Sequence, residues 1–405
     1  MTIGVGGSTA AAELARLEDM TGDVAPIGID EIKGRLAKAQ SLMRAAEIDV
    51  LYLHAGTNLL YFAGVDWHPS ERLVGAILPA EGELQYILPA FEASTFKDRL
   101  LIDGEIHCWE EHESPYALFD QVLAKICGTP CRLGIDESAP FFISDGLRRA
   151  LAGSEIISAT PVTAGCRQAK SANELAIMQR AKDMTIEVHK AAARILRAGI
   201  STTEVTEFID QAHRAVGEPA GSYFCIVLFG GATAYPHGVK DPQILKDGDM
   251  VLIDTGCELE GYHSDITRCY VFGQPNGRQR EVWDHEHAAQ AAAFTAAQIG
   301  APCGSVDQAA RAVLEGYGYG PDYAVPGLPH RTGHGIGLDI HEWPYLVRSD
   351  RTPLEPGMCF SNEPMICIYG EFGVRLEDHF YMTADGPKWF TEPSPSIDDP
   401  FGYEV

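Results

Sequence analysis

One pattern occurs twice in the second half of the chain, and it constrains the fold more than any other feature. Apolar residues recur at helical spacing over 172–198, opened by Ser171 with Glu174 three residues later. That pairing is a capping box, in which side chain and backbone satisfy each other at a helix start. Gly199-Ile200 ends the helix, a shorter one follows over 203–216, and strand-like sequence comes next. A second long helix leads to Gly300, a similar short helix over 306–314, and strand-like sequence again. Each unit has an apolar face to bury, so the pattern predicts a duplicated α-α-β arrangement folded about a pseudo-twofold axis. Two unrelated amphipathic helix pairs are the alternative reading.

The part before this repeat reads differently. After about 25 residues rich in Gly, Ala, Ser and Thr, expected to form a loose arm, an amphipathic helix is predicted over 30–46. Apolar, β-branched or aromatic runs at 49–53, 73–78 and 84–88 are bounded by turn residues, and helices are expected over 115–126 and 144–151. Strands alternating with helices give an α/β domain. The expected division is 1–160 and 161–405, two domains for 405 residues.

The charge balance narrows the partners. Lys plus Arg is 31 and Asp plus Glu is 57, a net charge of −26, with no basic run to neutralise phosphates. Nucleic acid and anionic membranes are therefore poor partners. No apolar stretch reaches the roughly 18 residues that suggest a membrane span, and no basic segment precedes an apolar one at the start, so a cytoplasmic protein is expected. The ten cysteines include no C-x-x-C pair; they read as small buried thiols rather than a zinc or disulfide framework.

Chemistry enters through scattered acids. Asp254 ends the apolar run that starts at Met250, and Asp265 follows eleven residues on, after the turn-like segment 257–261. A hairpin can bring two such carboxylates to one face, although Asp is also the usual residue at strand ends. Downstream, His330, His334 and His341 fall within twelve residues among closely spaced glycines, more histidine than packing needs. Glu363 follows Ser-Asn, and Glu377 sits in Gly373-Val-Arg-Leu-Glu-Asp378, both in strand-like sequence where a buried acid is costly without a partner. Four carboxylates and an imidazole brought together would repel one another, and two divalent cations about 3.5–4 Å apart would resolve the conflict. Such donors suit Mn, Co, Fe or Zn, and a centre of this kind activates water for hydrolysis near neutral pH.

These motifs resemble those of the pita-bread metallopeptidases, the family of Xaa-Pro dipeptidases (prolidases), Xaa-Pro and methionine aminopeptidases, and creatinases. The resemblance covers nearly the whole chain. It implies a creatinase-type N-terminal α/β domain followed by a pita-bread catalytic domain with a curved antiparallel sheet. It also implies that Asp254, Asp265, His334, Glu363 and Glu377 hold two divalent metal ions, manganese first among them. Asp254 would hold one ion, His334 and Glu363 the other, with Asp265 and Glu377 bridging. Glu363 resembles the proton shuttle of the family, His237 the histidine at the scissile region, and His341 the one that stabilises the tetrahedral oxyanion.

His330, Tyr235, Phe224 and Tyr323 are candidate pocket walls for a proline-containing peptide. Arg375, two residues before Glu377, is expected on the same strand face, orienting that carboxylate. Two departures stand out. Glu363-Pro-Met-Ile-Cys367 replaces the Glu-Pro-Gly-x-Tyr of relatives, so Cys367 stands where they carry tyrosine. Tyr345 stands where some prolidases carry the arginine that meets the product carboxylate. Arg348 is a nearby substitute, and Arg72 and Trp67 are others, reaching a partner's site across a homodimer. The implied activity is Xaa-Pro dipeptide hydrolysis; an Xaa-Pro aminopeptidase is the first alternative, and a creatinase-like hydrolase, a lyase or a non-catalytic relative are more remote.

Overall fold

Strand Val50–His54 is buried along its whole length, and one of two units is built around it. A computed structural model describes residues 1–404 and divides the chain into Ile27–Arg167 and the remainder, Met1–Pro26 with the chain from Gln168 onward. In the first unit, Val50–His54 pairs antiparallel with Gly75–Pro79 and parallel with Arg132–Ile135. The sheet extends outward through Gln85–Pro89 and Glu105–Trp109 on one side and Glu155–Ser158 on the other, six strands in all. Helices Ile29–Ala45, Pro115–Ile126 and Phe141–Ala150 lie close to the expected ranges. The core joins Tyr52, Ile77, Ile87, Phe119, Leu133 and Leu147.

The second unit carries the repeat. Helices Ala172–Ile195 and Thr202–Ala215 precede a three-stranded antiparallel sheet, with Met250–Gly256 between Phe224–Phe229 and Ile266–Val271. Helices Gly277–Ala296 and Cys303–Gly316 precede a five-stranded sheet in the order Glu342–Leu346, Gly333–Gly335, Cys359–Asn362, Asp378–Thr383, Gly386–Trp389. The Ser171/Glu174 capping box forms as read, and Asn276 with Gln279 opens the matching long helix in the same way. An isolated bridge between Thr267 and Glu377 links the two sheets. Trp283, Val306, Leu314, Phe360 and Phe380 fill the core beneath the second half.

Two expectations need correction. The first 26 residues are no loose arm: they belong to the second unit. Thr2 donates from Oγ1 to the Val271 carbonyl at 2.7 Å and from its amide to Gly273 at 2.9 Å. Glu13, fully buried, pairs with Arg16 and Arg194 at 2.7 Å each. Anchors made of hydrogen bonds and the two ion pairs of one buried glutamate leave little apolar signature. The boundary near 160 moves to Arg167, because helix Thr160–Arg167 packs against Ile29–Ala45 in the first unit.

Candidate metal centre

Backbone alternation builds the first half of the site. Asp254 stands opposite Thr267 in the antiparallel pair of Met250–Gly256 with Ile266–Val271. With period-two alternation, Asp254, Thr267 and Asp265 share one face of that ladder. The tip between them is turned by Glu260 and Gly261, with φ of 49° and 82°, a left-handed pair that glycine adopts freely.

A broken hairpin builds the second half. Cys359–Asn362 pairs with Asp378–Thr383, and Met365–Ile368 pairs with Phe372–Arg375, in two different sheets. Glu363 and Glu377 occupy the break on either side, where the ladder no longer dictates direction. The Glu377 amide donates to the Thr267 carbonyl at 3.3 Å, and Thr267 Oγ1 donates to Glu377 Oε2 at 2.7 Å. His334 enters on the short strand Gly333–Gly335. A Cβ at Gly333 would lie 2.1 Å from the Ser361 carbonyl oxygen, and one at Gly335 2.4 Å from that of Glu342, so only glycine lets the neighbouring strands close around this histidine.

The side chains converge. His334 Nε2 lies 3.2 Å from Glu363 Oε1 and 3.6 Å from Asp265 Oδ2. Its Nδ1 faces the Gly335 carbonyl at 3.0 Å, a contact that places the proton on Nδ1 and frees Nε2 as a ligand. Ligand atoms of His334, Glu363 and Glu377 lie within 4.8 Å of one another, as do those of Asp265, His334 and His341, and those of Asp265, Glu377 and His379. Asp265, His334 and Glu377 each belong to two of these groups. Asp254 is gripped by Arg375 Nη2.

Electrostatics marks the same place. Burial pushes the Asp254 and Glu377 carboxyls well above the usual range; the Asp265 and Glu363 charges push the same way, and Arg375 opposes them. Burial works against charge on His334, but Asp265 and Glu363 outweigh it and lift the imidazole to about 9. Burial likewise raises Glu363, yet contact with His334 brings it down to about 2. Among the described residues, Asp254 Oδ1 and Glu377 Oε1 are buried without a hydrogen-bond partner. An oxygen-rich donor set with an imidazole nitrogen turned into it and two orphaned carboxylate oxygens fits divalent cations.

The other expected site residues divide. His341 is exposed, with its ring edge-on to His334 at 4.2 Å between centroids. His237 is exposed beyond the turn Gly230–Ala234. His330 Nδ1 faces the Arg331 carbonyl at 2.7 Å, and its buried Nε2 has no hydrogen-bond partner among the described residues. Tyr235 is exposed against Tyr369, while Arg311 and Arg348 flank the Tyr323 ring. Arg72 and Trp67 lie in the first unit and are engaged there, Arg72 with Glu71 and Glu111, Trp67 with Phe96 and Arg99.

Arg375 corrects the expectation that it orients Glu377 along one strand. Strand Phe372–Arg375 ends at Arg375, the chain changes sheet at Leu376, and the guanidinium turns to Asp254, Thr267 and the Pro236 carbonyl. Cys367 is a packing thiol, fully buried in the core, with burial raising it to about 12.

Sequence reading missed Thr267, Ser361, Asp307 and His379. Ser361 Oγ accepts the His334 amide at 2.9 Å and donates to Glu363 at 3.3 Å. Asp307 accepts both the amide and the hydroxyl of Thr332, two residues before His334. Thr267 and His379 each lie two residues beyond an expected ligand, so strand alternation was the signal available for both.

A buried carboxylate cluster between two helix-helix-sheet halves defines a metallohydrolase of the pita-bread class. Residues 176–384 match Metallopeptidase family M24, and residues 35–169 match the Creatinase/Prolidase N-terminal domain. A putative dipeptidase, YkvY, of Bacillus subtilis is 33% identical over 88% of this chain and 97% of its own. An Xaa-Pro dipeptidase of Pyrococcus furiosus is 30% identical, covering 89% and 98%. The crystal structure of dipeptidase PepE from Mycobacterium ulcerans superposes with a TM-score of 0.84 at 32% identity, covering 91% and 97%. The chain belongs to metallopeptidase family M24.

Proposed function

We propose that the chain hydrolyses the Xaa-Pro bond of dipeptides with two divalent cations held by Asp254, Asp265, His334, Glu363 and Glu377. The observation that carries this reading is the convergence of Asp265, Glu363 and Glu377 around His334, with Asp254 Oδ1 and Glu377 Oε1 buried without a hydrogen-bond partner among the described residues. Asp254, His334 and Glu363 would each hold one of the two cations, and Asp265 and Glu377 would help to hold the pair. Manganese is the first candidate, with cobalt, zinc and iron(II) as alternatives. When bound, the cations supply a water that is nucleophilic near neutral pH and polarise the scissile carbonyl.

The chain's own residues do the rest. Glu363, whose side chain keeps 14% exposure, is open to the reacting side; Asp265 and Glu377 keep 7% and 2%. Its carboxylate takes a proton from the attacking water and delivers it to the departing proline nitrogen. His341, exposed beside His334, donates to the tetrahedral oxyanion. His237 meets the scissile region from a loop whose Pro236 carbonyl is held by Arg375 at 3.2 Å.

An X-Pro bond has no N–H to grip, so the ring itself must be accepted; His330, Tyr235, Phe224 and Tyr323 are the proposed walls. Arg72 and Trp67 complete a partner's site if the protein is a homodimer. The names borne by the relatives, dipeptidase and Xaa-Pro dipeptidase, support the substrate class.

The test is product analysis of Ala-Pro against Ala-Pro-Ala with Mn, Co or Zn added. Cleavage of the dipeptide is expected. An intact dipeptide beside a trimmed tripeptide would move the assignment to an Xaa-Pro aminopeptidase.

A further inference from the structure

His379 lies on strand Asp378–Thr383, two residues beyond Glu377, and is fully buried. It stands opposite Ser361, the residue whose hydroxyl contacts both His334 and Glu363. Alternation therefore turns its ring toward the cluster rather than into the layer behind. Among the described residues neither Nδ1 nor Nε2 has a hydrogen-bond partner. Buried imidazoles almost always have at least one, because leaving a buried polar atom unsatisfied forfeits the hydration it had in water. The group facing Nε2 is Glu377 Oε1, at 3.8 Å, which is itself buried and unpartnered.

Two orphaned ligand atoms facing each other beyond hydrogen-bond range leave room for a shared third party. With metal–ligand bonds of about 2.0–2.2 Å, donors around one cation are separated by ~3–4 Å. The donor atoms of Asp265, Glu377 and His379 lie within 4.8 Å of one another, a spread that small side-chain adjustments close.

We propose that His379 is a sixth protein ligand of the metal centre, adding a second imidazole to the five residues named above. The inference rests on the reading of those five as ligands. It gives the centre a more nitrogen-rich donor set than five ligands alone, which shifts its preference away from manganese and toward cobalt and zinc.

The test uses cobalt alone on the full-length protein, with X-ray absorption to count imidazoles per two cobalt ions. His341 is the competing histidine, so His341→Ala protein is measured first; two imidazoles are expected, from His334 and His379. His379→Thr is expected to drop the count to one, weaken one of two cobalt sites at least tenfold in calorimetric titration, and narrow the cobalt-over-manganese preference. A single imidazole in His341→Ala protein overturns the proposal while leaving the five-ligand centre intact, and this holds even if His379→Thr does not fold. Failure to bind two cobalt ions at all overturns the centre and His379 together.

Discussion

Arg375 and Asp254 form a buried ion pair, 3% and 6% exposed, in which the same guanidinium also donates to Thr267 and to the carbonyl of Pro236. One side chain therefore fixes a proposed ligand, the threonine that holds Glu377, and the loop that carries His237. Its charge partly neutralises the acids, so the cluster tolerates being assembled before any cation arrives.

Replacing Arg375 by Met is expected to weaken metal binding and to lower kcat/KM at least about a hundredfold through misplacement of the centre. Metal-free protein should lose on the order of 3 kcal/mol, less than the full cost of a broken buried pair because Asp254 can take a proton. Arg375→Lys keeps the charge but not the fork, and should fall between. Unchanged metal titration and denaturant midpoints in Arg375→Met would remove the organising role argued for this residue.

Glu363→Gln keeps shape and removes the proton acceptor. The expected result is a kcat lower by about two to four orders of magnitude with a modest change in KM, since general acid–base groups contribute that much. Steady-state kinetics on Ala-Pro, beside a metal assay of the variant, decide it. Near-normal turnover would assign proton transfer elsewhere.

The proposed ligand set came from the resemblance to a family, and the features that support it in the sequence are local ones. The spacing of Asp254 and Asp265, the glycines around His334 and the Ser171/Glu174 cap each state a geometry within a dozen residues. What could not be read depends on where strands break. Arg375 and Glu377 look like neighbours on one strand, and only the change of sheet at Leu376 turns the arginine to Asp254. His379 follows Glu377 at strand spacing, but its lack of partners is a tertiary fact. The opening 26 residues were misjudged because the bonds from Thr2 and the Glu13 ion pairs leave no apolar periodicity.

Chelation should destabilise the unit that carries the centre. A cation at a hundred times its dissociation constant contributes about 2.7 kcal/mol to the state that binds it. A melt in chelator is expected to fall by roughly 5 °C or more and to recover when manganese or cobalt is restored. Superimposable melts in both conditions would mean that these carboxylates do not hold a stabilising ion.

Acid should destabilise the protein through histidines outside the centre. Burial lowers both His54, 1% exposed, and His213, fully buried between Thr185 and Ser222, to about 4. Unfolded, each has a pKa near 6.5. Between those values the unfolded chain binds protons that the folded one does not, so stability is full above about 6.5 and is lost as pH falls toward 4. Each histidine contributes up to about 1.4 kcal/mol per pH unit in that window. Urea midpoints from pH 7.5 to 5, taken in chelator to exclude metal loss, should show a shallower slope in the His54→Asn, His213→Asn double variant. Equal slopes would count against this account.

Asp307 offers a test of how the site's loop is held. Fully buried on helix Cys303–Gly316, it accepts the Thr332 amide at 3.0 Å, the Thr332 hydroxyl at 2.8 Å, the Arg348 amide at 3.1 Å and Arg311 Nε at 3.0 Å. Arg311 in turn donates to the carbonyls of Asp322, Leu328 and His330. One carboxylate thus sets the path of the segment that delivers His330 and His334. Asp307→Ala would strand a buried guanidinium and two amides, at a cost of roughly 3–5 kcal/mol. Asp307→Asn retains most of the acceptor geometry without the charge and should cost less. If the carboxylate acts by holding the loop, the Asn variant, being folded, should raise KM for Ala-Pro more than it lowers kcat, because the substrate contacts proposed for His330 would loosen while Glu363 stays in place. A drop in kcat alone at unchanged KM would point instead to a disturbed His334.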